Sequence, residues 1–153
     1  MRFLFDCLVF LGLLACGPVW AGEMPDLLPL SNADIPQAGG CQFGRESGKP
    51  LLYWSEVEGE PALVRDARGL HKLRFFSVKY LPVRRDPPRM GDHRALMFSD
   101  GDWHVQAVGE VVRARAAKGG KCGEIAWKNH LIVLWAGRER RNINGWGHCS
   151  CGG

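Results

Sequence analysis

From Cys41 onward, short apolar segments alternate with turn signals about every ten residues, the rhythm of a β-sandwich or barrel. Ser47-Gly-Lys-Pro50 turns into Leu51-Leu-Tyr-Trp-Ser-Glu-Val57, and Glu58-Gly-Glu-Pro61 turns again into Ala62-Leu-Val-Arg65. Asp66-Ala-Arg-Gly69 ends on the glycine that type I turns favour. Leu73 and Phe75 alternate with Lys72 and Arg74, a strand with one wet face. The parity then slips at Phe76, and Val78 and Tyr80 take over, which predicts a bulge. Pro82 to Met90 holds three prolines and three arginines and reads as the longest exposed loop, because proline cannot donate to a ladder.

Arg94–Phe98 and Trp103–Val112 flank Ser99-Asp-Gly-Asp102, a hairpin signal in which Asp-Gly suits a primed turn. Trp103, Val105, Ala107 and Val111 share one face, and His104, Gln106 and Glu110 the other. Arg113 to Lys121, basic and ending in glycines, reads as a loop or one helical turn. Ile125–Trp127 and Leu131–Trp135 predict a hairpin around Lys128-Asn-His130, with the five-residue apolar run buried on both faces. The expected fold is a single all-β domain over 41–153, a small antiparallel barrel or a compressed sandwich.

The first residues obey other rules. Arg2 is followed by an apolar run from Cys7 to Cys16, too short for a bilayer span of about 20 residues but suited to a signal peptide. Gly17-Pro18 breaks it, and Val19-Trp-Ala21 places the expected cleavage after Ala21, making 1–21 the signal peptide. Leu13-Leu-Ala-Cys16-Gly17 offers a second route, in which Cys16 is lipidated as in a bacterial lipobox. Either route delivers the protein to the periplasm or outside the cell. Residues 22–40, rich in Pro and Gly, form an irregular lead-in or tether.

An exported chain changes the meaning of its cysteines. Cleavage at Ala21 leaves Cys41, Cys122, Cys149 and Cys151, an even set that reads as a disulfide framework. Cys149 and Cys151 are too close to bridge comfortably to each other, so each is expected to pair with Cys41 or Cys122, in either order. The alternative is a metal held by His148, Cys149 and Cys151, since thiolate and imidazole suit zinc or copper.

Charge adds less. The formal net charge of +4 survives loss of the leader, which carries one Arg and one Asp. That excess is too weak to imply nucleic acid. Arg84, Arg85 and Arg89 in the proline loop, with Arg113 and Arg115 (and Lys118 and Lys121 beyond them), are the candidate partner-binding residues, because arginine forks bind carboxylate and phosphate. Arg138, Arg140 and Arg141 form a third basic run. The chain holds no nucleophile elbow, His-Glu-x-x-His, P-loop or dinucleotide fingerprint. Asp100 and Asp102 are ordinary turn residues.

Cys41-Gln-Phe43 at the start and Gly145-Trp-Gly-His-Cys149 at the close resemble small uncharacterised bacterial envelope proteins that begin Cys-x-Phe and end Gly-x-Trp-Gly-x-Cys. More faintly, Gly91-Asp-His-Arg-Ala-Leu-Met-Phe98-Ser-Asp-Gly101 resembles the loop region of the membrane-bound inhibitors of c-type lysozyme. That resemblance implies an exported β-barrel with a structural disulfide and an inhibitory loop. The serine-rich loop of those inhibitors has no counterpart here. The resulting expectation is a non-enzymatic envelope protein without a cofactor that binds an extracytoplasmic protein or an anionic polymer, and contacts a membrane only if Cys16 is lipidated. A structural envelope component and a metal-binding protein are the alternatives.

Overall fold

Period-two alternation sets the architecture: every long segment in which apolar residues recur at i, i+2 and i+4 becomes a strand with one face turned inward. The computed structural model describes residues 23–36, 39–57, 59–81, 88–115, 123–137 and 139–150. Eight antiparallel strands follow in chain order: β1 (Gly40–Glu46), β2 (Lys49–Trp54), β3 (Ala62–Asp66), β4 (Gly69–Leu81), β5 (His93–Asp100), β6 (Trp103–Arg115), β7 (Glu124–Trp135) and β8 (Glu139–Ser150). Each pairs with its neighbours and β8 closes on β1, giving an all-β up-and-down barrel. Closure leaves no sheet edge at that seam.

The inner face is filled. Phe43, Leu52, Val64, Leu73, Leu96, Phe98, Trp103, Val105, Trp127, Leu131 and Val133 form one buried cluster. Lys72, Arg74, Glu110, Lys128, Arg140 and Asn142 are carried on the outside. Apolar inside and charged outside is the reverse of a barrel whose wall faces lipid.

The N-terminal segment packs as a strap. Leu28 makes a single antiparallel bridge to Arg65, and the Leu30 N–H donates to the Pro50 carbonyl at 2.7 Å. Leu30 and Ile35 cover Tyr53 and Leu63 on the outer wall of β2 and β3, which explains why apolar residues occur on both faces there. Arg65 grips Asp34, Arg141 grips Asp26, and the Met24 N–H donates to the Glu139 carboxylate at 2.8 Å. The described part of 22–40 is therefore a packed element rather than a free tether.

Glycine makes the closing seam. A Cβ on Gly145 would stand 1.9 Å from the Gly44 carbonyl oxygen, and one on Gly147 would stand 2.6 Å from the Phe43 ring. Only residues without a side chain let β1 lie this close to β8.

Several expectations hold and several are corrected. The bulge in β4 is present, as a register shift between Phe75 and Ser77. The inward row Trp103, Val105, Ala107 and Val111 is buried. The β5–β6 turn is shifted by one residue: Asp100 pairs with Trp103, leaving Gly101 (φ 43°) and Asp102 as the turn rather than Asp100-Gly101. Lys128-Asn-His130 does not turn; β7 runs unbroken through it, because Asn129 is paired on both sides, with Gly109 and Gly145. The apolar run Leu131–Trp135 is not buried on both faces. Leu131 and Val133 point inward, while Ile132 and Leu134 lie half-buried on the outer wall. Arg113 and Arg115 are strand residues of β6, not loop or helix, held by pairing with Ala126 and Glu124.

Candidate functional site

Alternating connections sort the two ends of the barrel. The turns β1–β2, β3–β4, β5–β6 and β7–β8 lie at one end, the base. The connections β2–β3, β4–β5 and β6–β7 lie at the other, the rim, together with the start of β1 and the end of β8. Cys41 and Cys149 are direct cross-strand partners near the rim and are joined by a disulfide. This is one of the pairings the cysteine count left open; Cys122 and Cys151 lie outside the described residues, as do Cys16, Arg84 and Arg85.

The most unusual group beside the bridge is Arg94. On β5 it shares the inward parity of Leu96 and Phe98, and it is 8% exposed. Its guanidinium donates to Cys149 Sγ at 2.9 Å and to Cys41 Sγ at 3.2 Å. It lies 4.3 Å from the Trp127 ring centroid, a cation–π contact, and Nη1 meets the Glu56 carboxylate at 3.1 Å. Glu56 adopts φ 62°, the left-handed region that a side chain rarely takes, as it meets that partner. Trp127 Nε1 also donates to Cys149 Sγ at 3.3 Å. The buried cation is held by sulfur, an aromatic face and one carboxylate, with its Nε left without a hydrogen-bond partner among the described residues, and it ties β1, β5, β7, β8 and the β2–β3 connection together. Cys41 Sγ, Cys149 Sγ and the Glu56 carboxylate lie within 4.8 Å of one another. With the sulfurs bridged and a guanidinium among them, the group is built for a protein cation rather than a metal.

His148 and Cys149 are adjacent in β8 and therefore face opposite sides. His148 is on the outer wall with Nε2 2.9 Å from Glu124, so it does not share a face with the Cys149 sulfur. Hydrogen bonding from His148, aided by the charges of Arg113 and Arg115 3.8 Å away, holds the Glu124 carboxyl below its usual range. The two predicted arginines of β6 thus sit at the rim beside one carboxylate, loosely held and exposed.

Arg89 reaches the same place. The turn from 89 to 92 docks on β6 through Gly91 N–H to the Val111 carbonyl (2.9 Å) and Val111 N–H to the Asp92 carbonyl (2.8 Å). Arg89 and Met90 are thereby brought beside Val112 and Arg113. The segment Gly91–Gly101, compared above with an inhibitory loop, is mostly strand β5, with Arg94 turned into the core.

At the base, Asp66 is 2% exposed and accepts from the Arg68 and Gly69 N–H groups (2.8 and 3.2 Å) and from Arg68 Nε (3.0 Å), with His71 Nε2 at 2.9 Å. Burial alone would push its carboxyl up. The His71 and Arg68 contacts outweigh that and hold it below the ordinary value. This is a turn clasp on the β3–β4 hairpin, with no nucleophile among its contacts.

Arg94, Glu56 and the Asp66–His71 pair were not singled out from the sequence. Arg94 had a readable signal, since it shares the parity of Leu96 and Phe98 on a segment expected to be a strand. Glu56 had none, because its role depends on a contact 38 residues away. Comparison with protein-family models, characterised proteins and solved structures finds nothing that matches this chain.

Proposed function

We propose that this protein is a non-enzymatic binding module of the bacterial envelope, and that it engages an anionic partner, an acidic protein or an envelope polymer, through the rim of the barrel. The observation that carries this reading is topological. In an up-and-down barrel alternate connections share an end, so Arg89, just ahead of β5, and Arg113 and Arg115, at the end of β6, come to one rim. Between β4 and β5 the chain has Arg84, Arg85 and Arg89 against Asp86 and Asp92. From Arg113 to Glu124 it has four cations against one carboxylate. The packed interior favours binding on the outside, and the bridged sulfurs and clasped carboxylates described above serve the scaffold.

Retention on heparin-agarose tests the reading. Arg89→Glu/Arg113→Glu/Arg115→Glu should elute at clearly lower salt than a control of equal charge change, Lys72→Glu/Arg74→Glu/Arg140→Glu, because a clustered patch focuses attraction that scattered charges do not. Equal loss from both variants would mean that net charge alone governs binding, and the rim assignment would fall.

A further inference from the structure

The rim that carries the arginines also carries apolar side chains that nothing among the described residues covers. Met90 is 73% exposed, Leu81 51% and Val112 44%. They are neighbours: Leu81 pairs with His93 at the start of β5, Met90 lies in the turn bonded to Val111, and Val112 follows Val111 at the β6 register shift. Arg89, Arg113 and Arg115, all exposed, alternate with them. Of the rim's described carboxylates, Glu124 lies beside Arg113 and Arg115 and is shared with His148, while Glu56, on the β2–β3 connection, is taken by Arg94.

These side chains stand on the part of the barrel that projects. β3 pairs with β4 only as far as Leu73, and β4 continues for eight further residues to Leu81. β5 begins opposite Glu110, and β6 continues to Arg115. The β4–β5 hairpin therefore extends past β3, and β6 past β5. A soluble polyanion has use for the arginines of such an end but none for Met90, Leu81 and Val112. An anionic bilayer has use for both: its headgroups attract the guanidinium groups, and its acyl boundary takes up the apolar side chains between them.

We infer that the rim docks on an anionic lipid surface, with Met90, Leu81 and Val112 entering the interface and Arg89, Arg113 and Arg115 contacting lipid phosphates. This rests on the proposed basic rim and assigns it an anionic lipid surface in place of an acidic protein or polymer. It also gives the protein a membrane contact that does not require a lipid on Cys16. The strap enters at the opposite end, where Met24 meets Glu139.

Co-sedimentation of the mature protein with phosphatidylglycerol–phosphatidylcholine vesicles, beside pure phosphatidylcholine vesicles and heparin-agarose, tests this. Binding should require phosphatidylglycerol. Each arginine near an anionic leaflet is worth about fivefold in partitioning, so the triple glutamate variant should lose about a hundredfold or more. Leu81→Ser/Met90→Ser/Val112→Ser should lose at least about tenfold on vesicles, from the apolar area withdrawn, while eluting from heparin as the parent does. Tryptophan emission and a urea midpoint close to the parent's show that the variant is folded. Heparin retention without vesicle binding overturns the lipid inference and leaves the basic-rim reading standing. Vesicle binding that the serine variant retains in full overturns it too, since charge alone would then suffice. Absence of binding to either surface removes both.

Discussion

The disulfide joins the first and last strands of a closed barrel, and its removal is the sharpest test of how the fold is held. Cys41 and Cys149 are 108 residues apart. Cross-linking a loop of that length lowers denatured-state entropy by an amount worth about 4.8 kcal/mol at 25 °C. Cys41→Ser/Cys149→Ser removes the link and keeps an oxygen acceptor near each contact that Arg94 makes with sulfur, so the loss should stay close to the entropic figure. Against total stabilities of about 5–15 kcal/mol for domains of this kind, the loss is a third of the stability or more. Urea unfolding followed by tryptophan emission should show the midpoint lower by about 2–3 M, for a slope of about 2 kcal/mol/M. The slope itself should rise, because a denatured chain without the cross-link is less compact. A midpoint change below about 0.5 M, with the slope unaltered, would refute the reasoning and show that the bridge does not constrain the unfolded chain.

Further outcomes follow from the same geometry. Gly145→Ala should cost about 3 kcal/mol or more in urea unfolding, the scale of severe strain or overpacking, since its Cβ would overlap the Gly44 carbonyl; a cost below about 1 kcal/mol would mean that β1 and β8 separate there without penalty. Glu56→Ala should destabilise more than Arg94→Met, because the first strands a buried guanidinium and the second frees a partly exposed carboxylate; the reverse order in urea midpoints would contradict this. Because the folded Asp66 carboxyl titrates below its unfolded value, its contribution is complete above about pH 4–5 and is lost as pH falls through the folded value. Asp66→Asn should therefore be less stable than the parent at pH 7 and converge with it in acid; a gap that is constant with pH would exclude the clasp. With Cys41 and Cys149 joined, the disulfide framework expected from the sequence leaves Cys122 and Cys151 for each other. The β7–β8 register places Ile125 opposite Cys149, three residues from Cys122 and two from Cys151. Thiol labelling of the native protein without reductant, followed by peptide mapping, should leave Cys122 and Cys151 unlabelled, and two labelled thiols there would disprove the pairing.

The local pattern determined a good deal by itself. Period-two alternation along β4 and β6, the parity slip at Phe76 and the turn residues at 47–50, 66–69 and 99–102 specify strands, a bulge and hairpins from contacts a few residues apart. The same alternation carried Arg94 into the core beside Leu96 and Phe98. The tertiary structure decided what depends on distant partners. Lys128-Asn-His130 looks like a turn in isolation and is strand because β6 and β8 pair with it from both sides. The β8 segment, polar and glycine-rich, has a weak strand signal, and it becomes the closing strand only because Gly145 and Gly147 permit close approach to β1. The choice of Cys149 for Cys41, the inward pairing of Arg94 with Glu56 and the meeting of Arg89 with Arg113 at one rim all follow from register and closure, which fix positions relative to residues tens of places away and leave no trace in local sequence.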